Sequence, residues 1–419
     1  MALLDIFLKR AIKRGQLTLV EHDGTRKTFG TPDPAYPNVT MRFTRKGVAG
    51  EILRDPALGV AEAYMDGRLV LDEGDILALL DLATANNRWE ENDSVLNASL
   101  MRRAIGNVVH RIDRFNMARR SKRNVAHHYD LSDRLYDLFL DADRQYSCAY
   151  YTRPDESLEQ AQLDKKAHIA AKLALKPGMK VLDIGCGWGG MALYLHEKTG
   201  AEVLGITLSE EQIKVAQRRA EEAGVADKVK FQLIDYRAVE GKFDRIVSVG
   251  MFEHVGPPFY RTFFKKCREL LTDEGVMLLH TIGRTGGPGV TDEFTAKYIF
   301  PGGYIPALSE VVNATEPLRI FLTDVEVLRL HYAYTLKAWY DRTTAAKDKI
   351  VELYDERFFR MWQFYLAGSH VSFKNGGMVN FQLQFARKRD TLPITRDYML
   401  EAERALAATA PAPVQEAAE

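Results

Sequence analysis

Cysteine is scarce in this chain: three in 419 residues, at 148, 186 and 267, far apart and without a C-x-x-C pair. That excludes a disulfide framework and a structural zinc site, no metal is expected, and a reducing cytoplasm fits best. Excess charge of either sign is missing too, since 57 Lys and Arg balance 57 Asp and Glu. No global field therefore points to nucleic acid, and an anionic partner has to be met by a local patch. No uncharged run approaches the length needed to cross a bilayer. The N-terminus MALLDIFLKRAIKRG is apolar at 3, 4, 7, 8 and 12 but interrupted by Asp5 and Lys9, which suits a short amphipathic helix better than a signal peptide. The chain is expected to be soluble or peripheral. Its length exceeds one ordinary core and predicts two domains, or one large domain with additions.

Residues 1–98 read as a small α+β unit. Strand-like QLTLVEHDG and VTMRFTRK flank the Pro-rich loop TPDPAYP, and helical periodicity follows in GVAEAYMDG and DILALLDLA. Nothing in it looks catalytic. A linker over 99–125 comes next, where MRRAIGNVVHRIDRFNMARRSKR sets eight Lys and Arg against the single acid Asp113. The default for such a run is a solvated connecting segment. The sharper reading is an electrostatic contact with anionic phospholipid, at about 1 kcal/mol per basic residue near the surface. The last stretch, 396–419, is low in complexity and is expected to be a flexible tail.

Between 160 and 283, helix and strand alternate with short connections: ESLEQAQLDKKAHIAAKLAL, KVLDIG, MALYLHEKTG, EVLGIT, SEEQIKVAQRRAEEAG, KVKFQLID, FDRIVSVG, PPFYRTFFKKCRELL and GVMLLHTIG. This order implies right-handed βαβ units and an α/β fold with a parallel, doubly wound sheet, whose ligand crevice lies at the carboxyl ends of the strands.

VLDIGCGWGG places Asp183, Gly185 and Gly187 at such an end. A glycine-rich turn alone is shared by NAD, FAD and S-adenosylmethionine sites, all of which need close backbone approach at a helix N-terminus. A dinucleotide site wants an acid at the end of the second strand; here that end reads GITLS, with Thr207 and Leu208 and no acid. Asp183 would repel a pyrophosphate but can meet a ligand carrying positive charge. S-adenosylmethionine, cationic at its sulfonium and its amino group, is therefore the expected cofactor. Gln212 can reach the ribose in place of the missing acid, although Ser209-Glu210-Glu211-Gln212 also has capping-box form, so a structural role is an equal alternative. Asp235 and Tyr236, in LIDYR, are placed either to contact the adenine or to form an ordinary loop. Trp188 and Cys267 read as packing residues, and Cys186 offers little beyond small size.

Seven spaced motifs then stand in order: HYDLSDRLYDLFLD with QYSCAYY, LDIGCGWGG, GITLSEEQ, FEHVG, LLHTIG, KYIFPGGYIPAL and HYAYTLKAW. Any one could arise by chance. Together, from about His128 to Lys388, they resemble the cyclopropane fatty acid synthases and their mycolic-acid-modifying relatives, and the N-terminal unit is similar to the extra domain of the bacterial phospholipid-acting branch. The resemblance implies a class I methyltransferase fold, Rossmann-like, with a mostly parallel seven-stranded sheet, and a catalytic domain over 126–395 that carries a lipid-binding insertion.

In that family a methyl group passes from S-adenosylmethionine to a cis double bond of an acyl chain already esterified in a phospholipid. An isolated alkene is a poor nucleophile, so carbocation character builds on the chain, and one proton must leave the new methyl group for a ring to close. A placed base and shielding from water are needed. The resemblance implies bicarbonate as that base, surrounded by Cys148, Glu253, His280, Ile282 and Tyr332. Backbone N–H groups at Cys148 and Ile282 would donate to the anion, while His280 and the Tyr332 hydroxyl orient its oxygens. Glu253 would accept the ion's hydroxyl proton or pair with His280, since two unbridged anions repel. Cys148 is thus expected to be pocket wall and not nucleophile. Tyr146 and Ser147 are expected near the cofactor, His128 near the cofactor or head group, and KYIFPGGYIPAL as a lid over an apolar tunnel. Tyr332, Leu336 and Trp339 share a helix face for which packing is the default, and only the motif lifts Tyr332.

The expected partner is membrane phospholipid of the anionic inner leaflet, met peripherally from the cytoplasm, with the basic linker and the amphipathic N-terminus as docking elements. A homodimer through the N-terminal unit is a further expectation. Three alternatives stay open: a relative that resolves the same cation into a methyl- or methylene-branched chain, a small-amine N-methyltransferase, which needs neither bicarbonate pocket nor lipid lid, and a lipid-binding protein with a vestigial cofactor site.

Overall fold

Local rules account for the first elements. Asp55 accepts from the Leu58 amide and Pro56 opens the helix Pro56–Met65, while Asp75 caps Ile76–Ala85 through the Ala78 amide. The computed structural model describes residues 2–91 and 132–408; the expected basic linker and His128 lie outside the described residues. Four strands, β1 (Gln16–Val20), β2 (Arg26–Phe29), β3 (Asn38–Phe43) and β4 (Leu69–Glu73), form a sheet in the order β2-β1-β3-β4. β1 is antiparallel to β2 and parallel to β3, and β3 is antiparallel to β4. Strand alternation turns Leu17, Leu19, Val39, Met41 and Phe43 inward. The N-terminal segment is helical over Ala2–Ala11, with Leu4 and Leu8 buried and Leu3 and Ile6 exposed.

The described residues divide into two compact units. One takes those of Met1–Leu140 with Ile282–Ser309 and Arg329–Asn380, the other Asp141–Thr281, Glu310–Leu328 and those of Phe381–Glu419. Within the first unit the long helix Glu356–Lys374 packs on Pro56–Met65 and Ile76–Ala85. The Tyr64 hydroxyl donates to Gln363 Oε1 at 2.7 Å, and Asn375 Nδ2 donates to Asp81 Oδ1 at 2.8 Å. The KYIFPGGYIPAL segment belongs to this unit as well. Tyr298 and Lys297 both bond Glu62 Oε1, at 2.7 and 2.8 Å, and Phe294 packs edge-on to Phe364 at 4.9 Å.

Most residues of the larger sheet fall in the second unit, the ends of two strands at 282–284 and 378–380 being counted with the first; its strands are β5 (Lys180–Ile184), β6 (Glu202–Thr207), β7 (Val229–Leu233), β8 (Phe243–Val249), β9 (Leu271–Arg284), β10 (Phe321–Leu328) and β11 (Met378–Ala386), in the order β10-β11-β9-β8-β5-β6-β7. The pairs β5–β6, β6–β7, β5–β8 and β8–β9 are parallel. This is the mostly parallel, seven-stranded methyltransferase sheet; residue patterning alone marks five of its strands and leaves β10 and β11 unmarked. The chain moves from β5 outwards through β6 and β7, then returns to add β8 on the other side of β5. The carboxyl ends of β5 and β8 thus flank a topological switch point, where such sheets bind ligands. Val181, Leu182, Ile246, Val247, Leu278 and Leu279 are fully buried, as expected for strands covered on both faces.

The C-terminal stretch expected to be a tail from 396 is instead helical over Asp397–Ala408. Its register explains why: Tyr398 accepts from Gln384 Nε2 at 2.7 Å and Glu403 bonds His168 Nδ1 at 3.1 Å, so polar groups that low-complexity text obscures are used in packing. Among the described residues no helix is long and apolar enough to cross a membrane.

Candidate active site

The turn after β5 is shaped by glycine. Gly185 has φ 87°, and a Cβ there would meet Met251 Cβ at 2.8 Å; Gly187 has φ 54°, and a Cβ there would meet nothing within 4 Å. The first glycine allows tight packing, and the second leaves backbone open to a ligand. Asp183, just before them, is 1% exposed, and its Oδ2 is buried with no hydrogen-bond partner among the described residues. Burial pushes its carboxyl up to about 7, against the pull of Lys165. A buried carboxylate oxygen beside an open glycine backbone fits a cofactor with a cationic amino group, which would complete and ionise it.

At the end of β6 the Ser209 hydroxyl accepts from the Gln212 amide, and the Thr207 hydroxyl donates to Gln212 Oε1 at 3.1 Å. Gln212 is thereby held at a helix cap, the structural alternative; Leu208 beside it is half-buried. After β7, Asp235 caps a short turn and pairs with Arg237, whose Nε and Nη2 lie 2.8 and 2.7 Å from its oxygens. Tyr236 is buried edge-on to Phe263 at 5.3 Å, with Arg237 over its ring.

A loop over 141–150 is fastened by the helix Leu158–Leu173. Lys165 Nζ donates to Gln145 Oε1 at 2.6 Å and to the Ser147 hydroxyl at 2.9 Å, and Gln162 Nε2 donates to the Gln145 and Ser147 carbonyls, each at 3.1 Å. Lys166 and Arg219 both pair with Asp143. Tyr146 in this loop is half-buried. Lys165 has no exposed surface, and burial, only partly offset by Asp141, lowers its ammonium to about 8. Its field acts on Cys148, Asp183 and His280 alike.

Cys148 is 1% exposed and its Sγ lies 3.3 Å from the Ala149 carbonyl. Burial pushes the thiol well up, so it is protonated at neutral pH and is no ready nucleophile. His280 pairs in register with Val249, the last residue of β8, and its carbonyl accepts from the Gly250 amide at 3.0 Å. A Cβ on Gly250 would lie 4.0 Å from Ser147, and Glu253, 8% exposed, follows in the turn Phe252–His254. Burial, reinforced by Lys165 and Lys172, drives His280 down to about 3, so its imidazole is neutral. The loop carrying Cys148, the end of β8 carrying Glu253, and His280 of β9 therefore converge in one unit. Ile282 and Tyr332 belong to the other unit. Ile282 is half-buried near the end of β9, and Tyr332 sits on the helix His331–Ala345 with its ring against Trp339 at 5.8 Å and Phe373 at 4.8 Å.

The model of one protein family, mycolic acid cyclopropane synthetase, matches residues 116–383. The chain belongs to this family. It is an enzyme of the S-adenosylmethionine-dependent methyltransferase class. Among relatives of this cyclopropane synthetase family, a probable fatty acid methyltransferase of Pseudomonas putida is 36% identical over 377 residues, 87% of this chain and 92% of that one. The cyclopropane-fatty-acyl-phospholipid synthase of Escherichia coli K12 is 38% identical over 343 residues, 80% of this chain and 85% of that one. The crystal structure of mycolic acid cyclopropane synthase CmaA1 complexed with SAH and CTAB superposes with a TM-score of 0.61 at 35% identity, covering 63% of this chain and 98% of that one.

Motif reading did not single out Gln162, Lys165, Lys172 or Gln382 in this family member. A signal was present. Lys165, His168 and Lys172 recur at i, i+3 and i+7 and so share a helix face, and Asn380, Gln382 and Gln384 alternate along β11.

Proposed function

We propose that this enzyme adds a methylene bridge across the cis double bond of unsaturated acyl chains in membrane phospholipids, forming a cyclopropane ring, with bicarbonate as the general base. The observation that carries the reading is that the backbone of His280, the loop at Ser147 next to Cys148 and the segment leading to Glu253 meet at Gly250, next to Met251 packed on the glycine turn, with Cys148, Glu253 and His280 all buried and none of them a cation or thiolate. S-adenosylmethionine supplies an electrophilic methyl carbon, and bicarbonate supplies the base for the proton that this carbon must lose.

The chain's own groups divide that work. Asp183 meets the cofactor's amino group, and Gly187 lets the backbone approach it. The Cys148 backbone N–H donates to the anion, neutral His280 orients an oxygen, and Glu253 accepts the ion's hydroxyl proton. The resemblance adds Ile282 as a second backbone donor and Tyr332 as a hydroxyl donor, and Tyr146, Ser147, Thr207, Leu208, Gln212, Asp235 and Tyr236 belong to the cofactor's surroundings.

Choice of a phospholipid substrate rests on coverage. The Escherichia coli phospholipid-acting relative spans 80% of this chain, whereas the mycolic acid enzyme spans 63%. Peripheral contact with an anionic leaflet, from the cytoplasmic side, uses the exposed Leu3 and Ile6 of the first helix. The relative named as a fatty acid methyltransferase favours a second reading, in which the same first step ends in a methyl-branched chain. Purified protein incubated with unsaturated phospholipid vesicles and methyl-labelled cofactor decides between them. Mass spectrometry of the released fatty acids is expected to show one added CH2 and resistance to hydrogenation. A product that hydrogenates, or no labelled acyl chain, overturns the first reading.

A further inference from the structure

A line of buried polar groups leads away from His280 inside the seven-stranded unit. Gln382 Nε2 lies 3.1 Å from His280 Nδ1, and Gln382 Oε1 accepts from Lys172 Nζ at 2.8 Å. Lys172 also bonds Glu326 Oε2, which lies 2.7 Å from His168 Nε2, and His168 Nδ1 lies 3.1 Å from Glu403 Oε2. Tyr150 stacks on the His168 ring at 4.0 Å. Gln382, Lys172 and His280 are each at most 1% exposed.

The order of donors along this line leaves one solution. An ammonium donates and never accepts, so the Gln382 oxygen must face Lys172 and its NH2 must face His280. An NH2 group requires an acceptor, so His280 Nδ1 carries no proton, and the single proton of the neutral ring is on Nε2. Burial lowers the Lys172 ammonium from the ordinary lysine range and Glu326 opposes that shift, while His168 and Lys172 outweigh Glu326's own burial and bring its carboxyl to about 2, so the pair is read as an ammonium against a carboxylate.

We propose that Gln382, oriented by Lys172, is a positioning residue that locks His280 as the Nε2–H tautomer, so that the imidazole donates through Nε2 to the bound anion. This rests on the reading of His280 as a pocket residue, which the structure's tautomer logic does not itself need. An Nδ1–H ring would present a lone pair where the anion needs a proton, the kind of tautomer error that costs orders of magnitude in rate. Isosteric Gln382→Glu sharpens the test. Its carboxylate still pairs with Lys172 but now accepts from Nδ1–H, which inverts the tautomer or protonates the ring.

The experiment is 15N NMR of the full-length protein labelled at histidine nitrogens, with the His280 signals assigned by their loss in His280→Gln. The wild type is expected to show an unprotonated Nδ1 and a protonated Nε2. In Gln382→Glu, Nδ1 is expected to gain the proton, with kcat down about a hundredfold and KM for S-adenosylmethionine within about twofold. A wild-type His280 protonated at Nδ1 overturns the proposal, and needs no variant to observe. Unchanged tautomer and unchanged kcat in Gln382→Glu overturn it as well. An inverted tautomer with full turnover upholds the lock and overturns instead the assignment of His280 to the anion pocket.

Discussion

The two sheets of this protein treat charge in opposite ways. On and beside the four-stranded sheet, ions meet at the surface: Arg42 pairs with Asp72 across β3 and β4 with side chains 44% and 35% exposed, and Arg14 pairs with Asp33 in the flanking segments with 62% and 20%. In the seven-stranded unit, Lys165, Lys172, Asp183 and His280 are each at most 1% exposed. Surface pairs cost little to make and contribute little, whereas a buried ion costs several kcal/mol unless fully partnered. Lys165 and Asp183 are kept at that cost near the glycine turn, while the same residue types in the unit of the small sheet pair where water still reaches them.

Four substitutions probe this contrast. Glu253→Gln keeps shape and removes the acceptor, so product formation in the vesicle assay is expected to fall about a thousandfold or more while cofactor affinity is kept. Full activity would remove Glu253 from the chemistry. Next in size, Lys165→Met deletes the bonds to Gln145 and Ser147 that hold the loop beside Cys148. Cofactor affinity, followed by calorimetry, is expected to drop about ten- to hundredfold, in line with lost hydrogen bonds to a charged group. Melting temperature is expected to fall as well, because the partly buried Gln145 oxygen and Ser147 hydroxyl lose their donor and Asp141 loses its cation.

Asp183 gives a pH test. Its folded carboxyl is raised to about 7, so in the cofactor-free protein its contribution to stability is fully present below the ordinary carboxylate range and is lost as pH rises through about 7. A cationic amino group needs the ionised form, so cofactor affinity should strengthen as pH rises towards about 7 and level off above it. Asp183→Asn should bind weakly, without that rise, and should be the more stable protein at pH 8. A parallel pH profile in wild type and variant would exclude Asp183 as the titrating group. Smallest of all, Arg42→Ala on the four-stranded sheet should leave melting temperature and turnover indistinguishable from wild type, and a marked loss of either would break the contrast between the sheets.

Much of the methyltransferase core could be read from text because its signals are local. Glycines at 185 and 187 announce left-handed turns, apolar runs announce buried strands, and motif order carries the family. Asp235 shows the limit: its place after the third strand was readable, but not its pairing with Arg237 two residues on, which a turn's exact geometry decides. Gln212 was readable both as ribose contact and as cap, and the cap is what the local hydrogen bonds form. Nothing in the helical pattern marked Lys165 and Lys172, since a lysine's burial is set by what packs over it.

By itself the amino-acid sequence determined the run of βαβ units, the carboxyl ends where ligands bind, and the turn at Asp183 to Gly187, because each depends on residues within a few positions of one another. Tertiary structure alone decided that Lys172, Gln382 and His280 meet although they lie as much as 210 residues apart. It also decided that the N-terminal strands share a unit with residues 329–380, and that Asp397–Ala408 forms a docked helix. Desolvation and hydrogen-bond order depend on neighbours from distant segments, and no local pattern encodes which neighbours those will be.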